Sequence, residues 1–271
     1  MSKIFSFASW NVEHFKNDRN RIRENVEFIQ DSDPDVFAIF EVEGRDVFHD
    51  FVQLMPAHNF FITEGLSDME ILVGVRRDII AFITQRHRLK SQIATLRPGA
   101  LVTLTIDNQY YAILFVHMKS SSDPRSWGLR DDMIGHVANL KGALDKVPGV
   151  PQEGVDFICI GDFNTMGMNL TYSDKDMSST EELQRYVKRL GRKKMKLLGK
   201  TSSVTWWNGL GSRYPKSDLD HAFASRSLNF KKFGDQEIDV RGWTKLTTDQ
   251  DQSDWIQEHS DHALLYGEVH N

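Results

Sequence analysis

The sequence predicts a layered α/β fold, and three features of its pattern support this prediction. Apolar residues recur at helical spacing in several segments, and strand-like apolar runs lie between those segments. One run, residues 155–160, is apolar almost without interruption, which is typical of a strand in a sheet that is buried on both faces. Strands with helices interspersed favour an architecture in which helices cover sheets.

The start of the chain predicts a strand, a helix and a second strand. Residues 4–10 form a buried strand, and residues 19–30 carry three aliphatic residues at helical spacing. Pro34 ends that helix, because proline lacks the backbone N–H that a helix interior needs. Residues 35–40 then form the next apolar run.

The middle of the chain predicts a short helix, four strands and a long helix. Apolar residues from Val47 to Leu54 indicate the short helix. The four strands are predicted at residues 71–75, 79–84, 101–106 and 110–117. The segment of residues 76–84, with its neighbour, resembles a hairpin. The long helix covers residues 130–147 and ends before Pro148.

Length, charge and cysteine content restrict the classes of function. The 271 residues are 40% hydrophobic and no linker divides them, so we predict one domain over residues 1–271. The 33 basic and 38 acidic side chains give a net charge of -5, which excludes a uniformly basic coat for nucleic acid. Cys159 is the only cysteine, so the chain can form neither an internal disulfide nor a cysteine zinc cluster.

The apolar pattern also bears on location. No run approaches the roughly 18 to 20 apolar residues that a membrane span requires, so we expect no membrane partner. The chain enters its first strand without the long apolar region of a signal peptide. We therefore expect a cytoplasmic protein that is monomeric by default.

Residues 185–200 form a basic segment, which contains eight lysine or arginine residues and no acid. The segment lies within residues 165–205, a basic insertion in a region that the family resemblance given below implies to be variable. Two interpretations remain open. Either its apolar residues pack while the charges face water, or its basic side chains contact phosphates.

Side chains with chemical capacity recur at the ends of six predicted strands. The motifs are Ser9-Trp10-Asn11-Val12-Glu13, Phe40-Glu41, Val116-His117, Gly161-Asp162-Phe163-Asn164, Asp218-Leu219-Asp220-His221 and Ser260-Asp261-His262. A single acid at a strand end is commonly a turn residue or a helix cap. Six such ends together indicate a site built in the loops at one edge of a sheet.

The ordered series of motifs resembles the endonuclease/exonuclease/phosphatase superfamily, which includes pancreatic deoxyribonuclease and abasic-site endonucleases of the exonuclease III type. The resemblance extends from Trp10 to His262, and its most specific parts are residues 161–164 and 260–262. It implies a four-layered α/β sandwich, in which two packed mixed β-sheets are flanked by helices. It also implies cleavage of phosphate esters that depends on a divalent metal, Mg²⁺ or Mn²⁺.

The resemblance implies a metal site made of oxygen ligands, which are the ligands that Mg²⁺ prefers. Glu41 would be the principal ligand, and Asn11 would hold Glu41 or a metal-bound water. Asp261 would be a further ligand or an outer carboxylate. Glu13 falls where some relatives carry another metal-side acid, and the alternative is a surface residue that follows the strand.

Asp162 and Asn164 are expected to act on the attacking water. They alternate along a segment that we expect to be extended, so both face one side while Phe163 points into the core. We assign Asp162 to orienting or deprotonating the water, and Asn164 to positioning the water or a phosphate oxygen. The alternative is a turn stabilised by hydrogen bonds of the Asx type.

Two histidines complete the expected site. His262 would face the phosphate, and a carboxylate on its other ring nitrogen would fix its tautomer and favour its protonated form. Asp220 is preferred as that partner over Asp218, which lies on the same face. As in the deoxyribonuclease-like branch, His117 would form a dyad with Glu70 that protonates the leaving oxygen. The alternative for Glu70 is a solvent-exposed turn acid.

Residues outside the motifs bear on the substrate. Trp206 and Trp207 either stack on bases or belong to the core, and Lys119 and Arg125 would line the same groove. We therefore expect a metal-dependent intracellular phosphodiesterase that acts on nucleic acid, with DNA favoured. The alternative is a phosphatase or phosphodiesterase for a small phosphorylated metabolite or a lipid headgroup. A non-catalytic binding module predicts the loss of a central residue, and the sequence retains all of them.

Overall fold

The computed structural model, which describes residues 2–66 and 69–271, consists of two β-sheets with helices on their outer faces. The first sheet contains β1 (Lys3–Phe15), β2 (Val36–Val42), β3 (His58–Ile62), β4 (Glu70–Arg76), β11 (Asn229–Phe230), β12 (Ile238–Arg241) and β13 (Leu264–His270). The second sheet contains β5 (Ile80–Arg86), β6 (Gly99–Ile106), β7 (Gln109–His117), β8 (Asp156–Asp162), β9 (Met195–Leu197) and β10 (Asp220–Ser225). The α-helices are α1 (Arg19–Ser32), α2 (Arg45–Leu54), α3 (Pro124–Leu144), α4 (Ser179–Gly191) and α5 (Asp249–Glu258), and short 3-10 helices cover His87–Lys90 and Trp243–Lys245.

Both sheets are mixed, as predicted. The first has the order β11-β13-β1-β2-β4-β3, with β12 also paired to β13, and its β1 and β2 are parallel. The second has the order β5-β6-β7-β8-β10-β9, and its β7 and β8 are parallel. The other strand pairs are antiparallel.

Three apolar clusters separate four layers. One cluster lies between the two sheets and includes Phe40 and Phe115. A second lies between the first sheet and helices α1 and α2, and includes Ile39 and Ile22. The third lies between the second sheet and helices α3 and α4, and includes Val137. The adjacent residues Ile39 and Phe40 enter different clusters, because successive side chains of a strand point to opposite faces. The predicted four-layered sandwich is confirmed.

Residues 76–84 do not form a hairpin with the strand that precedes them, so the hairpin prediction is wrong for that pair of strands. A short turn joins β4 to β5, but β4 pairs with β2 and β3, whereas β5 pairs with β6 in the other sheet. The turn therefore carries the chain from one sheet to the other. Apolar alternation cannot distinguish the two cases, because it reports which face is buried and not which strand is the neighbour.

Helix α3 begins earlier than the predicted start at residue 130. The carboxylate of Asp123 accepts hydrogen bonds from the backbone N–H groups of Arg125 and Ser126, and Pro124 occupies the first turn. None of the helices in the described residues is long and apolar enough to cross a membrane.

The basic segment, residues 185–200, forms the end of α4 and all of β9. Tyr186, Leu190 and Met195 are buried against α3 and the second sheet, whereas Val187 is exposed. The apolar residues of the segment therefore pack, as the first of the two interpretations requires.

Asp35 ties the start of β2 to β1 through its carboxylate. Its Oδ2 accepts hydrogen bonds from the Ser6 backbone N–H at 2.7 Å, the Ser6 hydroxyl at 2.8 Å and Lys3 Nζ at 2.9 Å. Burial alone would raise the pKa of Asp35, but these bonds outweigh burial and hold it below its ordinary value of 3.8. The ionised carboxylate therefore stabilises the fold.

We expect Asp35→Asn to lower the free energy of unfolding by about 2 kcal/mol near neutral pH, since bonds to a charged group are lost. A group with a depressed pKa stabilises the native state above its ordinary pKa and loses that contribution as pH falls. The deficit should therefore shrink below about pH 4, which urea unfolding at about pH 7 and about pH 3 measures. Asp33→Asn, at an exposed ion pair, is the control and should stay within about 0.5 kcal/mol of wild type. An equal deficit at both pH values would contradict the prediction.

Candidate active site

Five strands bring polar side chains to one edge of the sandwich. His117 at the end of β7 pairs in register with Asp162 at the end of the parallel strand β8. Asp220 begins β10, which is antiparallel to β8, and lies directly opposite Asp162. In the other sheet, β1 and β2 are parallel, so Asn11 and Glu41 reach the same edge.

Asp162 lies at the centre of this group and is buried. Its Oδ2 accepts hydrogen bonds from Asn11 Nδ2 at 3.1 Å and Asn164 Nδ2 at 2.9 Å. The same oxygen lies 3.5 Å from His117 Nε2 and 3.9 Å from His262 Nε2. Burial raises the pKa of Asp162, although the charge of His262 opposes the shift. A carboxylate held in this way is suited to accept a proton from water.

The segment after β8 is not extended, which corrects the prediction. Asn164 has a left-handed φ of 49°, and its backbone N–H donates to Asp162 Oδ1 at 2.8 Å. This Asx turn, rather than strand alternation, brings the two side chains together. The Asn164 side chain also donates to the Met118 carbonyl at 3.2 Å, and Phe163 is buried in the core. Glu41 also has a positive φ, 63°, so backbone strain is concentrated at this site.

His262 is held between carboxylates. Its Nδ1 is hydrogen-bonded to Asp220 Oδ2 at 2.8 Å, and its Nε2 lies 3.9 Å from both Asp162 Oδ2 and Asp261 Oδ1. Burial alone lowers the pKa of an imidazole, but Asp220, Asp261 and Asp162 outweigh it and raise the pKa of His262 well above 6.5. His262 is therefore a buried cation, and its Nε2 can donate to a bound anion.

His117 and Glu70 do not contact each other in the structure, so they do not form the predicted dyad there. Glu70 accepts hydrogen bonds from Thr63 Oγ1 at 2.5 Å and from a backbone N–H of the β3–β4 connection at 2.7 Å. His117 Nε2 lies 3.5 Å from Glu41 Oε1, and its Nδ1 is buried without a hydrogen-bond partner. Burial, reinforced by the charge of Arg97, lowers the pKa of His117 well below 6.5. His117 is therefore neutral, and a neutral imidazole is a poor proton donor.

Glu41, Glu13 and Asp261 form what we call the acidic group, on one side of the site. Asn11 Nδ2 donates to Glu41 Oε1 at 3.1 Å, and Asn11 Oδ1 accepts from the Glu13 backbone N–H at 3.1 Å. Trp206 Nε1 donates to Asp261 Oδ2 at 2.6 Å, whereas Asp261 Oδ1 is buried without a partner. Burial raises the pKa of both Glu13 and Asp261.

Within the described residues, one group of three side chains brings its ligand atoms close enough together for a cation, and the acidic group is a second candidate by its chemistry. Asp162, Asp220 and His262 each offer one atom, and the three atoms lie within 4.8 Å of one another. In that set, the positive charge of His262 already balances the charge of a carboxylate. A histidine must also lose its proton to bind a metal. The acidic group also lies near positive charge, because His262 favours the ionised form of Asp261 and Arg21 that of Glu13, but Asp261 Oδ1 has no hydrogen-bond partner. Its hard oxygen atoms fit a divalent cation such as Mg²⁺.

The four predicted substrate-binding residues occupy different environments. Trp207 is buried in the cluster between the sheets, so of its two predicted roles the structure shows packing in the core. Trp206 is half-buried and held by its bond to Asp261. Lys119 is half-buried and Arg125 is exposed, and both line an open groove of about 420 Å³.

Two contacts that local patterns cannot show hold the strand ends together. Ser260 Oγ donates to the Asn11 carbonyl at 2.7 Å, and Trp10 Nε1 donates to the His262 carbonyl at 2.9 Å. Both donors belong to the motifs, but sequence reasoning assigned them no role. Their partners are more than 240 positions away in the chain, so only the tertiary structure identifies these roles.

Lys200 is a supporting residue that sequence reasoning missed. Its ammonium group donates to the Asp220 carbonyl at 2.5 Å and pairs with the carboxylate of Asp218. Asp218 is thereby engaged away from His262, which explains why Asp220 and not Asp218 is hydrogen-bonded to the imidazole. No signal distinguishes Lys200 from the other lysines of the basic segment.

The chain is similar to a described protein family and to several solved structures. The family model for the Endonuclease/Exonuclease/phosphatase family matches residues 8–240. No curated protein matches the sequence significantly. Among solved structures, Danio rerio TDP2 complexed with a single-strand DNA product is 13% identical with a TM-score of 0.64, covering 98% of this chain and 99% of that chain.

Two further structures share the fold. The human Nocturnin catalytic domain with bound sulfate is 13% identical with a TM-score of 0.66, covering 99% of this chain and 93% of that chain. A mannosyl-6-phosphatase from Bacteroides thetaiotaomicron is 15% identical with a TM-score of 0.59, covering 98% of this chain and 100% of that chain. The TM-scores show a common fold, and identities at this level show no more than the fold.

Proposed function

Because the chain belongs to the Endonuclease/Exonuclease/phosphatase family, whose members are phosphate-ester hydrolases, we propose that it is a metal-dependent phosphodiesterase acting on nucleic acid. DNA is the favoured substrate. One observation carries the proposal: a buried carboxylate, Asp162, lies between two amide donors and a buried imidazolium, and the acidic group lies beside it. This arrangement supplies a base, an anion-binding donor and a cation site within a few side chains.

In the proposed reaction, water attacks the phosphorus of a diester bond. The Asp162 carboxylate accepts the proton of the water as the new P–O bond forms and the bond to the leaving oxygen breaks. Asn164 orients the water through its amide, and His262 donates Nε2–H to a phosphoryl oxygen that gains negative charge. Asn11 bridges Glu41 and Asp162 by donating to one oxygen of each, and His117 Nε2 lies 3.5 Å from the same two oxygens.

The acidic group would hold the divalent cation, which we propose to be Mg²⁺ or Mn²⁺. Glu41 and Asp261 are the ligands, Glu13 is an outer carboxylate, and Asn11 fixes the orientation of Glu41. The cation supplies neutralisation of charge on the phosphate. Trp206 positions Asp261 through its indole N–H. Neither of the two predictions for this residue, stacking on a base or packing in the core, included that role.

The shape of the site edge supports an extended substrate. Three open grooves are lined by residues that belong to the acidic group or lie near site residues in the sequence: one contains Glu13 (about 550 Å³), one contains Glu43 and Glu70 (about 600 Å³), and one contains Lys119 and Arg125 (about 420 Å³). Small-molecule sites commonly bury most of their ligand. Open grooves of this kind therefore favour an extended polynucleotide over a small ester. TDP2, a DNA-bound protein of the same fold, is consistent with this choice.

The test is turnover of a matched set of substrates by the purified protein with Mg²⁺ or Mn²⁺. The set contains plasmid DNA, a single-stranded oligonucleotide, an abasic duplex, RNA, bis(4-nitrophenyl) phosphate and a sugar monophosphate. We expect cleavage of polynucleotide and of the chromogenic diester, and its loss with a chelator. Turnover of the sugar phosphate alone would instead favour the small-metabolite phosphatase, as in the mannosyl-6-phosphatase of the same fold.

Glu41→Gln is expected to raise the Mg²⁺ concentration for half-maximal activity by at least about tenfold, because it removes the charge of a ligand but keeps its shape. A metal titration of the rate on the chromogenic diester measures the shift. Glu43→Gln is the matched control, because Glu43 lies two positions away and pairs with His14 and Lys16 instead. An unchanged metal requirement in Glu41→Gln would remove this residue from the cation site.

A further inference from the structure

Strand β5 lies at the edge of the second sheet, and only one of its two sides has a neighbouring strand. It pairs with β6 in continuous register over all seven of its residues. In an antiparallel strand, alternate residues direct both their N–H and their C=O groups away from the neighbour. Within residues 2–66 and 69–271, the main-chain hydrogen bonds outside the sheets and helices do not involve β5. The outer side of β5 therefore offers free backbone groups to a further strand.

β5 lacks the features that usually protect an edge strand from such pairing. Edge strands are commonly very short, or they carry charges, proline or a bulge. Residues 80–85 include neither a charged residue nor a proline, and the pairing with β6 has no shift of register. By contrast, β9 at the other end of the same sheet has three residues and carries Lys196. β5 is thus the less protected edge of this sheet.

The outer face of β5 is also apolar. Ala81 and Ile83 pack against the cluster between the sheets, so Ile80 and Phe82 point to the opposite face, where they are 72% and 69% exposed. Tyr110 of β7 is 66% exposed in the same row, because one residue of β6 lies opposite both Ile80 and Tyr110. We call Ile80, Phe82 and Tyr110 the edge patch. A group of exposed apolar side chains beside free backbone groups indicates an interaction surface.

The sequence around Phe82 is complementary to itself in the antiparallel direction. Residues directly opposite each other in an antiparallel pair lie on the same face of the sheet. When Phe82 lies opposite Phe82 of a second copy, Ile80 comes opposite Thr84, and Asp78 comes opposite Arg86. Asp78 is exposed in the turn before β5, and Arg86 ends β5. In the described part of the chain, neither of these two charges belongs to an ion pair, whereas their neighbour Arg76 does.

Other registers lose this match of charges. A pairing centred one residue earlier brings Arg86 opposite Arg76, and one centred one residue later brings Arg86 opposite the apolar Ile80. Like charges directly opposite each other are destabilising. Exposed ion pairs contribute little affinity, so the charges select the register, whereas backbone hydrogen bonds and apolar burial stabilise the contact. The register centred on Phe82 is therefore the favoured one.

We propose that β5 pairs with β5 of a second copy of this chain, antiparallel and centred on Phe82, to form a symmetric dimer. The pairing joins two six-stranded sheets into one, and the edge patches of the two copies meet across the two-fold axis. Such a contact uses the same edge of both copies and closes the assembly at two. Because the strands are antiparallel, the candidate active sites of the two copies point in opposite directions, and neither is covered. The proposal is independent of the proposed function, and it differs from the monomer expected by default from the sequence.

The first test follows the association of the purified protein by sedimentation velocity over a series of concentrations. Wild type should pass from monomer to dimer and no further. Phe82→Lys places like charges opposite each other at the centre of the pairing and should raise the dissociation constant at least about tenfold. Tyr172→Lys is the control and should dimerise as wild type does, because Tyr172 is fully exposed between β8 and α4. A wild type that stays monomeric or forms open-ended assemblies, or equal dimerisation by Phe82→Lys, overturns the proposal.

The second test reverses the two charges to examine the register. Asp78→Arg and Arg86→Asp, each alone, should weaken dimerisation at least about fivefold, because each sets like charges opposite each other twice. The double variant should return to within about twofold of the wild-type dissociation constant. Failure of this restoration overturns the register centred on Phe82.

Kinetics separate the dimer from the proposed function. Phe82→Lys should keep wild-type kcat/KM on bis(4-nitrophenyl) phosphate, because the pairing leaves both candidate sites open. A folded Phe82→Lys variant that has lost turnover would assign this surface to the active site and overturn the proposal. A wild type that dimerises as described but cleaves no phosphodiester would reject the proposed function and support the dimer.

Discussion

Asp162→Asn is expected to lower kcat/KM on a phosphodiester by about 10³-fold, within the range that general-base groups contribute. The amide has the shape of the carboxylate but accepts no proton from water at neutral pH. The variant should remain folded, because it removes a buried charge whose pKa burial already raises. Steady-state kinetics, with circular dichroism to confirm folding, measure the effect.

Asp156→Asn is the matched control for this change. Asp156 begins the same strand, β8, at the end away from the site, and its carboxylate accepts a hydrogen bond from Ser227 Oγ. Its substitution should leave kcat/KM unchanged. A folded Asp162→Asn enzyme with wild-type kinetics would show that another group deprotonates the water.

Asp220→Asn should produce a loss of similar size, about 10³ to 10⁴-fold in kcat with little change in KM. Asp220 holds Nδ1 of His262 and is the largest contribution that favours its charged form. An amide at this position no longer stabilises the imidazolium, so Nε2 becomes a weaker donor to the phosphoryl oxygen as charge develops there.

Asp218→Asn separates the role of Asp220 from a general effect of charge. Asp218 lies two positions away but pairs with Lys200. Its substitution should retain most of the activity, because no contact with His262 is lost. If Asp218→Asn impaired kcat as strongly as Asp220→Asn, the proposed pairing with His262 would not be the source of the effect.

The layered α/β fold was predictable because its signals are local. A strand buried on both faces must be apolar at nearly every position, as residues 155–160 are, and a helix must repeat its apolar residues at helical spacing. Residue type at single positions also carries information. At Gly161, for example, a Cβ would lie 2.0 Å from the Val116 carbonyl oxygen, so glycine permits the close approach of β8 to β7 beside Asp162.

The errors of sequence reasoning share a different cause. The turn after Arg76 looks the same whether the next strand joins its own sheet or the other one. Glu70 precedes an apolar run as expected, yet its carboxylate is bonded by Thr63 instead of His117. Trp206 and Trp207 are adjacent and identical in kind, but one holds Asp261 and the other enters the core.

Local spacing and residue type were therefore enough to predict strands β1, β2 and β4 to β8, helices α1 to α3 and the side chains at the strand ends, because each depends on neighbours within a few positions. The short strands β3, β9, β11 and β12 and helices α4 and α5 were not predicted. Register between distant strands decided the rest, above all which carboxylate contacts His262. A hydrogen bond requires its two atoms to lie about 3 Å apart in space, and this distance does not depend on how far apart the residues are along the chain. Their partners became known only when the two sheets were packed against each other.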